Sequence, residues 1–316
     1  MDWVKGVQQA IDYVETHITE ELKMEEVAAE CFSSPYHFQR VFSILCGYTL
    51  GEYIRYRRLT LAGRELQETS RKVIDIALKY GYESPDSFAR AFVRFHGITP
   101  SEARKKGAAL QAFSPLSVKI ILEGGEKMQY RLEDREAMVF IGHGYVCGGE
   151  AERLQGAGSG SLEEKIKDTT KHWMSSRREQ DILKAIRLEE NVWYDIYTDF
   201  WEEGFTHYIG VRKPDKWDQQ DACALCGAGT EETGTDAVAA HAGIFREIRV
   251  PAGKYVIVES ERKESPEEDY LELQRQIISQ WLPTSGYVLA DRPQINRVVM
   301  DPEPGKRYME IWMPVE

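Results

Sequence analysis

The 316-residue sequence has few cysteines and no long hydrophobic run. Since no stretch of 18 consecutive apolar residues occurs, we predict no transmembrane helix and no membrane partner. The chain does not begin with a charged segment followed by an apolar one, as a secretory leader would. The five cysteines are odd in number and scattered, which is typical of a reducing compartment rather than of a disulfide framework. We therefore expect a cytoplasmic protein.

Signals for catalysis and metal binding are also scarce. No G-x-S-x-G nucleophile motif is present. Cys223 and Cys226 form one isolated C-x-x-C pair, with His207 and His241 as the nearest further ligands. Because no second pair follows at zinc-finger spacing, two reduced thiols are favoured over a metal site. We predict no metal, no cofactor and no enzymatic activity.

The acidic side chains are unevenly distributed. The formal net charge is −12, but residues 1–108 are close to neutral and nearly all of the excess lies in residues 109–316. A chain of this length is expected to contain two domains. We place the boundary after the basic Lys105-Lys106 pair, with a linker at 109–112 and a second domain at 113–316.

Residues 32–54 recur as residues 82–104, at a constant offset of 50 and without gaps. A fixed-offset repeat indicates one supersecondary unit used twice. In each copy a Ser-Pro pair, Ser34-Pro35 or Ser84-Pro85, is placed to cap and begin a helix. A glycine, Gly47 or Gly97, is placed to end it. The spacing predicts two helix-turn-helix units.

The second helix of each copy has one apolar face and one polar face. The predicted inner stripes are Phe38, Val41, Phe42 and Leu45 in the first copy, and Phe88, Ala91, Phe92 and Phe95 in the second. The predicted outer faces include Tyr36, Gln39 and Arg40, then Asp86, Ser87 and Arg90. Arg pairs with guanine and Gln with adenine in the major groove. The alternative is an ordinary solvated helix face, but the repeat favours DNA binding.

A long helix from Glu52 to about Gln67 is predicted between the two copies. Its arginines Arg55, Arg57 and Arg58 are candidates for phosphate contacts, with solvated surface arginines as the alternative.

These stretches resemble a known family. Residues 1–106, with MEEVAAECFSSPYHFQRVF, GYTLGEYIRYRRLTLAGREL and VIDIALKYGYESPDSFARAFVRFHGITPSEAR, are similar to the DNA-binding domain of AraC/XylS-type bacterial transcription regulators. The resemblance implies that the outer faces of the two helices enter successive major grooves of double-stranded DNA. Asp86 departs from the uncharged residues common in the family and could only accept a hydrogen bond from a cytosine amino group.

The pattern in the rest of the chain predicts strands. The order of strands and one helix occurs twice. The predicted strands are Val118–Leu122, Met128–Leu132, Ala137–Val146, Val192–Tyr197, Thr206–Val211, Phe245–Val250, Lys254–Glu259, Asn296–Met300 and Tyr308–Met313. Helices are predicted after capping boxes Ser161/Glu164, running through Trp173, and Ser265/Glu268, ending near Pro283 and Gly286. A Gly/Ser-rich loop at 156–160 and a long insertion at 213–243 separate these elements. We expect an α+β domain of two related strand–helix–hairpin halves around a cleft.

The last predicted strand holds the most specific chemical signal. Alternation places Tyr308, Glu310 and Trp312 on one face and Met309, Ile311 and Met313 on the other. A carboxylate between aromatic rings suits an organic cation, although a half-exposed strand with a surface Glu is the alternative. Other strands add candidate aromatic ligands: Tyr194, Tyr197, Tyr208 and Tyr255.

This second region resembles the GyrI-like effector-binding domain, through stretches such as IRVPAGKYVIVE, WLPTSGYVLADRP and YMEIWMPVE. The resemblance implies that Glu310 lies at the base of an aromatic ligand cleft, beside Trp312. Together the two resemblances imply a one-component transcription regulator whose DNA binding responds to a small aromatic or cationic molecule. Two alternatives are a small-molecule hydrolase that uses Glu310 and a cleft Tyr, and a second domain that binds a protein such as RNA polymerase or a topoisomerase.

Overall fold

The computed structural model describes residues 3–117, 128–148, 162–201, 204–214 and 245–316. It divides the chain into two compact units, Met1–Leu122 and Glu123–Glu316. The predicted strand Val118–Leu122, the loop at 156–160, Ser161, Cys223, Cys226, His241 and nearly all of the insertion at 213–243 lie outside the described residues.

The described part of the first unit is helical. Its helices are α1 (Trp3–Thr16), α2 (Met24–Ala29), α3 (Pro35–Cys46), α4 (Leu50–Glu68), α5 (Val73–Lys79), α6 (Pro85–His96) and α7 (Pro100–Ala103). The pairs α2–α3 and α5–α6 are the two predicted helix-turn-helix units, and α4 is the predicted connecting helix.

The repeat in the sequence is a repeat in the structure. Ser34 and Ser84 cap α3 and α6, accepting hydrogen bonds from backbone N–H groups at 3.3 and 3.2 Å. Both helices end at a glycine in the left-handed conformation, with φ of +78° and +76°. Capping boxes at the same offset, Thr49–Glu52 and Thr99–Glu102, then begin α4 and α7.

The first unit extends further along the chain than we predicted. Phe113, placed above at the start of the second domain, packs its ring against Tyr48 and Tyr56 at centroid distances of 5.2 and 5.3 Å. Its N–H donates to the Thr60 hydroxyl at 2.9 Å, and its carbonyl accepts from Arg57 at 2.6 Å. Because these contacts are all to the helical unit, Phe113 belongs to that unit.

The described part of the second unit is an antiparallel sheet with helices. The strands are β1 (Tyr130–Arg135), β2 (Met138–Gly148), β3 (Val192–Trp201), β4 (Gly204–Arg212), β5 (Phe245–Val250), β6 (Gly253–Glu259), β7 (Gln294–Val299) and β8 (Tyr308–Val315). The helices are α8 (Leu162–Ser175), α9 (Arg177–Ile186), α10 (Tyr270–Gln276) and α11 (Leu282–Ser285). Helix α9 was not predicted, although Leu183 and Ile186 give its apolar spacing.

The sheet order is β1-β6-β8-β7-β3-β4-β2-β5, and every pair is antiparallel. If each of β1–β4 is exchanged with its counterpart in β5–β8, the same order results, read from the opposite edge of the sheet. Strands β3 and β7 pair at the centre. The topology therefore confirms two related halves. It adds that the first strand of each half pairs with the other half, β1 with β6 and β5 with β2.

The helical segment after β6 begins differently from the prediction. Ser265 makes no side-chain capping bond, and the segment opens with a 3₁₀ turn at Pro266–Asp269. The side chain of Lys263 binds Asp269 at 2.6 Å and approaches Glu268 at 4.0 Å, so these carboxylates face an ammonium group. After α10 the backbone makes a π-helical turn at Ile277–Trp281, and α11 ends at Gly286, as predicted, with φ of +79°.

The two faces of the sheet are different. One face carries an aromatic and aliphatic cluster that includes Phe140, Tyr194, Tyr208, Tyr255 and Trp312. On the other face Trp193 and Val211 pack with Leu183 and Ile186 of α9, and α10 lies against β8. The first of these surfaces, which carries Glu310, is called the Glu310 face below.

Candidate functional site

The first of the two helices predicted to read DNA, α3, is buried over more of its surface than predicted. Gln39 is 2% exposed and Arg40 is 0% exposed, so their predicted position on an outer face is wrong. The Gln39 amide donates to the Met24 sulfur of α2 at 3.1 Å. Ile44, which our apolar stripe omitted, is also buried and lies one turn beyond Arg40. The buried band is therefore wider than the stripe, and Tyr36 is half-buried.

The second such helix, α6, has the predicted amphipathic character. Phe88 and Phe92 are fully buried, whereas Asp86 and Arg90 are exposed. Ser87 is half-buried, and its hydroxyl donates to the Ser84 carbonyl at 2.9 Å. Asp86 and Arg90 are thus the predicted reading residues with open positions, while Ser87 has a structural partner.

The arginines of α4 hold the first unit together. Arg57 makes a bidentate pair with Glu15 of α1, at 2.8 Å for each bond. Arg58 donates to the carbonyls of Ile18 and Glu20 at 2.8 and 2.7 Å, where the chain leaves α1. Arg55 is half-buried and lies 4.0 Å from Glu52. The alternative of a solvated surface arginine does not describe Arg57, which is buried, whereas Arg58 is half-buried with two backbone partners.

Glu310 lies on the sheet among charged and aromatic groups. It is 6% exposed. Its Oε1 accepts from Arg131 Nη2 at 2.6 Å, and its Oε2 accepts from the indole Nε1 of Trp312 at 2.8 Å. A buried carboxylate is costly unless donors or cations satisfy it, and here both oxygens are satisfied. The predicted pairing of Glu310 with Trp312 is therefore a direct hydrogen bond.

Arginines also cover the aromatic rings near Glu310. The guanidinium of Arg135 lies 4.4 Å from the centre of the Trp312 ring, and that of Arg262 lies 4.4 Å from the Tyr308 ring. Both distances are within the range of cation–π attraction. The rings of this face can therefore hold cations, and in this structure side chains of the protein do so.

A second acidic group is linked to Glu310 through Arg297, whose Nη1 lies 4.0 Å from Glu310 Oε1. Glu189 accepts from the Tyr194 hydroxyl at 2.5 Å and from Arg297 at 2.7 Å. Burial alone raises the pKa of Glu189, but these two hydrogen bonds and the charge of Arg297 hold it below its ordinary value. Burial and the bond to Glu189 raise the pKa of Tyr194. Glu189 is therefore an anion, and Tyr194 is a neutral donor at physiological pH.

Three of the four additional tyrosines lie on the Glu310 face. Tyr194, Tyr208 and Tyr255 belong to the same cluster as Trp312. Tyr197 does not, because it lies three residues after Tyr194 and alternation turns it to the helix side. There its ring stacks on His207 and Tyr270, at centroid distances of 4.6 and 5.5 Å. Tyr197 therefore lies on the face opposite Glu310, apart from the other three tyrosines.

Our sequence interpretation missed Arg131, Arg135, Glu189 and Arg297. A signal for the first two was available, since Arg131, Glu133 and Arg135 alternate along β1 and so share one face. Their proximity to Glu310 was not predictable, because β1 pairs with β6 of the other half.

In the described ranges, no helix is long and apolar enough to cross a membrane. Those same residues contain no group of three or more His, Cys, Asp or Glu side chains that could hold a metal ion. His207 contacts Asp195 and Thr169, at 3.2 and 3.0 Å.

Comparison with known proteins matches both units. The family of GyrI-like small molecule binding domains matches residues 157–316, about half of the chain, and a helix-turn-helix domain family matches residues 27–106. The chain belongs to the GyrI-like family and carries an AraC-type helix-turn-helix domain. In this GyrI-like protein, Glu310 and the α3–α6 repeat fall within the matched regions.

Two relatives of its helix-turn-helix domain are transcription regulators. The activator AarP of Providencia stuartii is 42% identical over 95 residues, which cover 30% of this chain and 70% of AarP. The regulatory protein SoxS of Escherichia coli K12 is 40% identical over 106 residues, 34% of this chain and 99% of SoxS. Among solved structures, SAV2435 bound to tetraphenylphosphonium aligns at 14% identity with a TM-score of 0.41, over 60% of this chain and 94% of that one.

Proposed function

We propose that this protein is a one-component bacterial transcription regulator in the cytoplasm. Its first unit binds a promoter or operator in double-stranded DNA, and its GyrI-like unit binds a small aromatic cation that changes DNA binding. The observation that carries the ligand proposal is the buried carboxylate of Glu310, held among aromatic rings of the sheet.

DNA binding is supported by the two helix-turn-helix units and the helix between them. Helix α4 has 19 residues and so spans about 28 Å, near the ~34 Å of one DNA turn. Arg90 is exposed on the outer face of α6, where bidentate pairing with guanine is possible. Because Arg40 is buried, we propose that α3 reads DNA only in a conformation that exposes this side chain.

Cation binding is supported by charge and by aromatic surface. Glu310 supplies a negative charge, and the rings of Trp312 and Tyr308 each hold a guanidinium at 4.4 Å. A ligand bound more tightly by one conformation of the protein shifts the population towards that conformation. In this way a ligand on the Glu310 face would change DNA affinity.

Titration calorimetry of the full chain with tetraphenylphosphonium tests the ligand proposal. This probe is an aromatic monocation without hydrogen-bond donors, so it reports charge and stacking alone. Glu310→Gln should weaken its binding about tenfold, or about 1.4 kcal/mol. The control is Glu303→Gln, which removes the same charge from a side chain that is 65% exposed, and it should bind as the wild type does. Equal affinity of all three proteins would show that Glu310 does not recognise the charge of the ligand.

Binding is favoured over the alternative of hydrolysis by Glu310 and a cleft Tyr. A general base works with a positioned water or a second acid, whereas the Glu310 oxygens bind a guanidinium and an indole N–H, so the carboxylate already holds a cation in this structure. Turnover of an ester substrate that disappears in Glu310→Gln would reverse this choice. AarP is described as an activator; if this protein activates transcription too, RNA polymerase is its expected protein partner.

A further inference from the structure

Arg131 occupies the position that a cationic ligand of Glu310 would need. Its Nη2 lies 2.6 Å from Glu310 Oε1, the distance of a charge-assisted hydrogen bond. The Glu310 side chain is 8% exposed, but that of Arg131 is 40% exposed. The carboxylate is therefore fixed within the sheet, whereas the arginine reaches it from the solvent side.

Arg135 covers the ring of Trp312, beside Glu310, as Arg131 covers the carboxylate. Its guanidinium lies over Trp312 at 4.4 Å. Its Nε atom is buried without a hydrogen-bond partner in the described part of the chain, so the ring compensates only in part for its desolvation. A ligand cation over Trp312 would meet this guanidinium directly.

The ion-pair network around Glu310 is balanced in charge before any ligand binds. Four arginines and four glutamates are linked by the contacts described above and their immediate ion pairs: Arg131, Arg135, Arg262, Arg297, Glu133, Glu189, Glu259 and Glu310. An added monocation would leave one uncompensated positive charge in a partly buried place, which is unfavourable. Movement of one arginine head into solvent restores the balance.

Arg131 has an alternative partner for such a movement. Its Nε already lies 2.6 Å from Glu133, and Glu259 is 4.0 Å away. Strand β1 is an edge strand that pairs with β6 on one side in the described sheet. Arg131 can therefore leave Glu310 while it keeps an ion pair with Glu133.

We propose that Arg131 is a specificity-determining residue that acts as an internal competitor, and that a ligand cation binds Glu310 by displacing its guanidinium. This inference rests on the proposed function of the Glu310 face. Ligands that bring a cation must exchange with Arg131, whereas neutral aromatic ligands do not. The arginine thus sets the affinity threshold for cations.

The test compares two probes, tetraphenylphosphonium and the neutral triphenylphosphine oxide, by calorimetry on the full chain. Arg131→Gln should bind the cation about tenfold more tightly, because the ligand no longer competes with the guanidinium for Glu310. The affinity for the neutral probe should change less than about twofold. Arg131→Lys keeps the charge and should resemble the wild type. Arg249→Gln removes an arginine whose side chain is 82% exposed, at the opposite edge of the sheet, and should change neither probe.

The outcomes separate this inference from the function on which it rests. If Glu310→Gln weakens the cation but Arg131→Gln does not strengthen it, Arg131 is not a competitor, and the cation site stands. If Arg131→Gln and Arg131→Lys both bind the cation more tightly, charge competition is wrong. If no protein of the set binds the cation, the proposed ligand function fails, and this inference fails with it. Should Arg131→Gln not fold, Arg135→Gln provides the second comparison, with a smaller gain expected for the cation alone.

Discussion

Arg40 and Arg90 stand at the same position of the repeated unit, yet Arg40 is fully buried and Arg90 is exposed. The helices that carry them share a serine cap, a following proline and a terminal glycine. Since the residues that begin and end the two helices are the same, the difference in arginine burial arises from the elements that pack around each helix.

The first prediction concerns these two arginines. Arg90→Ala should weaken specific DNA binding by about 1–3 kcal/mol and relax base preference at one position, without a change in thermal stability. Arg40→Ala should weaken DNA binding and also lower the free energy of unfolding by about 2 kcal/mol, because it truncates a large buried side chain. Footprinting on a selected promoter and thermal unfolding measure the two effects. Wild-type footprints from the double variant would contradict the two-helix model of DNA recognition.

The second prediction concerns the ion pair between Glu15 and Arg57. Burial alone raises the pKa of Glu15, but hydrogen bonds from Arg57 and Tyr53 hold it below its ordinary value. A lowered folded-state pKa gives stability that is present above the unfolded pKa of about 4.3 and is lost as the pH falls through the folded value. Glu15→Gln should therefore lower the free energy of unfolding at pH 7 by about 1–3 kcal/mol. On acidification to about pH 3, this variant should lose less stability than the wild type does.

Urea unfolding at pH 7 and about pH 3 measures the Glu15 effect. The control is Glu68→Gln, in an exposed pair with Arg64, because such pairs contribute little. A Glu15→Gln protein with wild-type acid sensitivity would show that this carboxylate does not stabilise the folded unit.

The third prediction concerns Trp312. Trp312→Ala should weaken both tetraphenylphosphonium and triphenylphosphine oxide, because the ring stacks on either probe, and it should weaken the cation more, because cation–π attraction is lost as well. Trp193→Ala removes an indole of similar burial from the opposite face of the sheet, and so it should reduce thermal stability but leave both affinities unchanged. A loss confined to the cation would assign Trp312 to charge recognition instead.

The fourth prediction concerns the two helix-ending glycines. Gly47 and Gly97 have positive φ, and an added Cβ would meet no atom within 4 Å. Alanine at either position should thus lower the free energy of unfolding by about 1–2 kcal/mol through backbone strain alone. Gly305→Ala is the control, since a Cβ there also meets open space and its φ is not positive. Equal unfolding midpoints for all three variants would rule out strain.

The fifth prediction concerns the end of the first unit. A fragment of residues 1–117 should unfold at a higher urea concentration than residues 1–106. The shorter fragment lacks Phe113 and also Leu110, which packs against the core of the helical unit. Because both side chains are half-buried, their burial contributes about 1.5–3 kcal/mol together as an upper estimate. The same midpoint for both fragments would place the boundary near Lys106, as we first predicted from the sequence.

Local chemistry in the sequence determined the elements and several of their faces. Ser34, Ser84, Gly47 and Gly97 act within one or two helical turns, so their roles follow from spacing alone. Alternation along β8 likewise placed Glu310 with Trp312 on one face, because the strand period is two. The same rule, applied to the three-residue separation of Tyr194 and Tyr197, would have placed Tyr197 on the face opposite Tyr194.

Tertiary structure decided which distant residues meet. The contact of Arg131 with Glu310 joins positions 179 residues apart, and it exists because β1 pairs with the other half of the sheet. The Arg57–Glu15 pair and the burial of Arg40 depend in the same way on packing between elements. Helix periods and strand alternation describe one segment at a time, whereas ion pairs and burial depend on the neighbours that the folded chain brings to each side chain.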